Sequence, residues 1–115
     1  MSLSFTDHEH CGVVRVDTAR LDASIAIQFK DQFRTMTEDC GDVILDLSNV
    51  EFIDSSGLGA VVAVYKGLEA GRVMALAGLQ PPVQKVMTLT RMNAVFAIFP
   101  TLEGALAAAG PTAAE

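Results

Sequence analysis

Apolar residues recur along this chain with two periods. Short β-branched or doubly apolar runs predict strands, and stripes at i, i+3, i+4 and i+7 predict helices. Leu3 to Thr6 and Cys11 to Asp17 predict two strands joined by the polar turn Asp7-His8-Glu9-His10. A helix is expected from Ser24 to Glu38, with Asp22 or Ser24 near its start and Ile25, Phe29, Phe33 and Met36 on one face. Val43-Ile44-Leu45-Asp46-Leu47 is apolar on both faces, as in a buried central strand. Ser48-Asn49 makes a break, and Val50 to Ile53 predicts a short extended piece. Ser55 or Ser56 then caps a helix to about Ala70, with Leu58, Val61, Val62, Tyr65 and Leu68 as its core stripe and Gly71 as its stop. Arg72 to Leu79 predicts another strand, and Pro81 or Pro82 opens a helix to about Arg91. Ala94 to Phe99 predicts a short strand, and Thr101 starts a last helix with Glu103 in its first turn.

The resulting order, β-β-α-β-α-β-α-β-α, implies an α/β fold with a largely parallel sheet after an opening hairpin. Without repeats or linkers, the chain reads as a single domain over residues 1–115, with an ordered core over about 3–109 and a fraying tail over 110–115.

Composition narrows the functional classes. Half of the 115 residues are hydrophobic and 19% are charged, which excludes a disordered or low-complexity chain. The net charge of −6 is concentrated in the first half, where residues 1–54 carry eleven acidic and four basic side chains. An acidic chain with no basic patch is a poor binder of nucleic acid or of an anionic membrane. The longest uncharged apolar stretch, Gly57 to Tyr65, is far short of the ~20 residues of a membrane helix, so no direct insertion is expected. Two cysteines, Cys11 and Cys40, lack CxxC spacing and fit a reducing, cytoplasmic compartment.

Candidate chemistry concentrates in Val43 to Gly59, VILDLSNVEFIDSSGLG. Here a buried strand leads to Asp54-Ser55-Ser56 at the start of an amphipathic helix. The first four N–H groups of a helix lack intrahelical partners and the dipole there is positive, so the position suits a hydroxyl cap and, equally, a phosphoryl group. On physics alone a plain N-cap with an acidic neighbour explains the same residues. At about 100° per residue, Gly59, Ala60, Ala63 and Gly67 lie opposite the apolar stripe. That small, uncharged face is either covered by a neighbouring helix or open to a protein partner.

The same segment resembles the signature of the STAS domain, in particular that of bacterial anti-sigma factor antagonists. The likeness continues through Ala77-Gly78-Leu79, Pro82 to Val86, Leu89-Thr90 and Val95-Phe96, and back to Arg20-Leu21-Asp22, so it covers nearly the whole chain. Ala19 stands where the family pattern usually has glycine. The resemblance implies a mixed sheet of four or five strands with about four helices mostly on one side. It implies a non-enzymatic partner switch. The unphosphorylated protein binds an anti-sigma factor that is also a serine kinase, the kinase modifies the first serine of the motif, Ser55, and a PP2C-type phosphatase resets it. By the same resemblance Asp22 and Asp54 face the kinase. Ser56, Gly57, Gly59, Ala60 and Ala63 complete the expected partner surface, and the chain is expected as a monomer or weak dimer. A STAS subunit of an ABC-type lipid transport system and a small-ligand or nucleotide sensor are the competing readings.

Other chemistries lack parts. A nucleophile elbow needs Gly-x-Ser-x-Gly, whereas the chain has Ile53-Asp54-Ser55-Ser56-Gly57, and both histidines, His8 and His10, sit in the N-terminal turn. His8, His10 and Cys11 have no second ligand pair, so a polar turn is expected there and no metal. Gly57-Leu58-Gly59 lacks the lysine of a phosphate loop, and no cofactor is expected.

Overall fold

The computed structural model describes residues 2–8, 11–68 and 71–109. Five strands form one sheet in the order β1-β2-β4-β6-β7. These are β1 (Leu3–Asp7), β2 (Cys11–Val16), β4 (Asp42–Asp46), β6 (Met74–Ala77) and β7 (Ala97–Phe99). β1 runs antiparallel to β2, and the remaining pairs are parallel. The doubly apolar run is thus the middle strand, with Val14 opposite Leu45 and Leu45 opposite Leu76. Glu9 and His10 of the expected turn lie outside the described residues, while His8 N donates to Cys11 O at 2.8 Å across the hairpin.

The pleat sorts the side chains into two cores. On one face Val14, Val16, Val43, Leu45, Met74 and Leu76 join Phe29 and Phe33 of α1 (Ala26–Met36), Ala60, Val61 and Val64 of α2 (Ser55–Lys66), and Val83 and Met87 of α3 (Pro81–Leu89). On the other, Cys11, Val13, Ile44 and Ala77 meet Ala105 of α4 (Leu102–Ala109). Three of the four helices therefore share one side of the sheet. Each helix shows its i, i+4 or equivalent pair, such as Phe29 and Phe33 at 0% and 1% exposure.

Several boundaries differ from the pattern, each for a local reason. α1 begins at Ala26, later than Ser24, because Asp22 folds back on Ser24 in a turn and Ile25 is the N-cap without a side-chain bond. α2 stops at Lys66, short of Ala70, with Gly67 as its C-cap, although Gly71 does take φ 90° further on. The strand expected over Arg72 to Leu79 is reduced to Met74–Ala77. The stretch from Ala94 divides: Met92–Ala94 is a 3₁₀ turn entered through Arg91 at φ 62°, and only Ala97–Phe99 is extended.

A second, two-stranded parallel sheet was not foreseen. β3 (Arg20–Leu21) pairs with β5 (Phe52–Ile53). Two residues a side are below any periodicity, and the partners are 32 positions apart. Ala19 O accepts from Glu51 N at 2.7 Å and from Phe52 N at 3.1 Å. Arg91 is the only described non-glycine residue with a positive φ, so Ala19 fills its turn without a left-handed backbone.

Candidate site at the N-terminus of helix α2

β5 and the residue after it deliver the serine pair. Asp54 is extended at φ −106°, ψ −175°, and is the N-cap of α2: its Oδ1 accepts from Gly57 N at 2.8 Å. The cap is therefore Asp54, and neither Ser55 nor Ser56, which occupy the first two helical positions. The sequence signal was present, since aspartate is as good an N-cap as serine. What decides between them is the extended backbone inherited from β5.

The other oxygen of Asp54 reaches across to the β3–α1 turn, accepting from Ala23 N at 3.3 Å, and Asp54 N donates to Leu21 O at 3.3 Å. Asp22, in that turn, accepts from Ser24 N at 3.1 Å and Ser24 Oγ at 2.6 Å, and from Arg20 Nε at 3.2 Å. Its carboxyl is held below the ordinary carboxylate range, first by the Ser24 hydroxyl and then by Arg20. The two acids expected to share a surface are thus adjacent, and one of them also ties the two segments together.

Ser55 and Ser56 are both exposed, and among the described residues neither hydroxyl makes a hydrogen bond. As first-turn residues they leave their amide N–H groups without intrahelical acceptors. The arrangement leaves an accessible hydroxyl on a locally positive helix end beside a carboxylate.

The remaining candidates divide. Gly59 is exposed, and a Cβ there would meet nothing within 4 Å; Ala63 is half-buried. Ala60 and Gly57 were expected on the partner surface but are buried. Ala60, at 3% exposure, faces the core because the buried stripe of α2 runs through Gly57, Ala60, Val61 and Val64, leaving Leu58, Val62 and Tyr65 at its margins. A Cβ on Gly57 would lie 2.0 Å from Leu21 O, so glycine there permits α2 to touch β3.

Arg20 was not singled out as a site residue. Its guanidinium carbon lies 4.2 Å from the centroid of the Phe52 ring, with the Arg20 side chain 62% and Phe52 40% exposed. Only the β3–β5 pairing makes them neighbours.

An α/β domain with one mixed sheet, three helices on one face and an open, aspartate-capped helix N-terminus as its exposed polar feature defines a recognisable class. The chain belongs to the STAS domain family, whose model matches residues 2–105. It is 31% identical over 107 residues to the anti-sigma F factor antagonist of Paenibacillus polymyxa, covering 87% of this chain and 86% of that one. The crystal structure of an anti-sigma factor antagonist from Mycobacterium paratuberculosis superposes with a TM-score of 0.86 at 28% identity, over 94% of this chain and 92% of that one. The Bacillus cell fate determinant SpoIIAA, solved in its phosphorylated form, shares the fold at a TM-score of 0.68 and 22% identity, over 95% of this chain and 100% of that one.

Proposed function

We propose that this chain is an anti-sigma factor antagonist whose partner binding is switched by phosphorylation of Ser55. Kinship to antagonists over most of the chain supports the activity. The observation that carries the switch is the exposed Ser55 hydroxyl at the first position of α2, next to Asp54 and without a hydrogen bond among the described residues. In the unphosphorylated form this surface binds an anti-sigma factor with serine kinase activity and so releases a sigma factor. Phosphorylation adds about −1.5 to −2 charges at pH 7. The helix N-terminus tolerates that charge within the protein. Against a partner it must be stripped of water beside Asp54, which already carries charge, and binding weakens. A PP2C-type phosphatase restores the hydroxyl. The chain is a substrate and ligand, not an enzyme, and works in the cytoplasm.

Phosphosite mapping with the cognate kinase tests this. Ser55→Ala should lose the label and still bind, Ser56→Ala should keep the label, and Ser55→Asp should fold but bind weakly. Label that survives Ser55→Ala and vanishes in Ser56→Ala would move the site.

A further inference from the structure

The two segments that contain β3, β5 and the start of α2, residues 17–24 and 48–57, carry four acids, Asp17, Asp22, Glu51 and Asp54, and a single cation, Arg20. Arg20 has two partners. Its Nε donates to Asp22 Oδ2 at 3.2 Å, and its guanidinium stacks over Phe52 at 4.2 Å. The strand pair beneath them is locked by Arg20 opposite Phe52 and Leu21 opposite Ile53. Only Nε is used: among the described residues the two terminal nitrogens make no hydrogen bond, and the side chain is 62% exposed. A planar guanidinium with a free edge, its central carbon 4.2 Å from the centroid of an aromatic ring, can present that edge to a carboxylate.

Position says which protein meets it. Phe52 precedes Ser55 by three residues, roughly 10 Å of extended chain. A standard interface covers about 800 Å² per partner, a disc of about 16 Å radius. A kinase interface of that size centred on the Ser55 hydroxyl reaches Phe52 and Arg20 as well. Arginine and aromatic side chains are the types that dominate interface energetics.

We infer that the Arg20–Phe52 platform is a specificity contact for the anti-sigma factor kinase, taking a partner carboxylate on the free edge of Arg20 and an apolar side chain against Phe52. The inference rests on the proposed function and adds to it which chemistry the partner must present. Arg20 acts by contact with the partner: the two bonds that Asp22 accepts from Ser24 do not involve Arg20 and hold the turn without it.

The anti-sigma factor kinases of the source genome, purified singly and held with ADP, serve as probes in titration calorimetry. The kinase that binds the wild-type chain should lose about thirtyfold in affinity for Arg20→Glu and about tenfold for Phe52→Ala. Both variants should melt within a few degrees of wild type, as exposed substitutions do. Arg34→Glu, the same charge change in the last turn of α1, should alter affinity less than about twofold. One acid-to-arginine substitution on the kinase should restore binding to Arg20→Glu, which a merely structural role for Arg20 does not predict. Wild-type affinity in both Arg20→Glu and Phe52→Ala, or no restoring substitution on the kinase, overturns the inference and leaves the proposed function standing. If no kinase binds the wild-type chain, the proposed function falls and the inference with it.

Discussion

Asp54 has two roles at the residue scale, one in each oxygen. It caps α2 through Gly57 N and holds the β3–α1 turn through Ala23 N. Asp54→Ala should therefore cost more than a simple cap, about 2 kcal/mol in urea unfolding, while Asp54→Asn, which keeps one acceptor, should cost about half as much. Asp22 gives a pH prediction. Its folded pKa lies below the ordinary value because the ionised form accepts from Ser24 and Arg20. Its contribution to stability is thus present above the ordinary carboxylate pKa and is lost as pH falls through the lower, folded value. Carboxyl NMR titration should place the Asp22 midpoint below that of a free aspartate, and Ser24→Ala should move it upward. A midpoint unchanged by Ser24→Ala would remove the hydroxyl as the main cause.

At the scale of elements, α2 shows why two glycines in one motif are not equivalent. Gly57 sits where the helix touches the Leu21 carbonyl, and Gly59 faces solvent with open space around it. Gly57→Ala must push α2 away from β3 and should destabilise by about 3 kcal/mol. Gly59→Ala adds a better helix former on a free surface and should stabilise by about 0.5–1 kcal/mol. Chemical denaturation of the two variants gives opposite signs if the contact face is as described, and like signs if it is not. The same displacement in Gly57→Ala should also misplace Ser55 relative to Asp22, so its labelling by kinase should slow while that of Gly59→Ala need not.

The whole molecule is organised about β4, which is flanked by strands on both edges and by helices on both faces. Leu45 is fully buried at its centre, so Leu45→Ala should lose about 2–5 kcal/mol in urea titration. A loss under about 1 kcal/mol would mean the central position does not carry the core. Native-state hydrogen exchange should rank β4 slowest and the edge strands β1 and β7 faster, because edges open without disrupting the core. Position in the sheet also explains how the site is supported: β5 and α2 follow β4 directly, so the Ser55 end of the helix is anchored to the most buried strand.

Much of this was legible in the residues alone. Element order, the central strand and the exposed helix N-terminus at Ser55 follow from hydrophobic period and local turn chemistry, which are properties of short windows. The tertiary structure decided what depends on distant residues meeting. The two-residue strands β3 and β5 exist only through each other, and with them come the stacking of Arg20 on Phe52 and the reach of Asp54 to Ala23. The apparent choice between two serine caps became an aspartate cap because β5 sets the backbone before the helix. Ala60, expected outside, is buried because a helix face is assigned by what packs on it, and α2 turns Gly57, Ala60, Val61 and Val64 inward while Gly59 stays exposed. Periodicity fixes how a helix repeats but not its rotation about its own axis, and that angle was supplied by its neighbours.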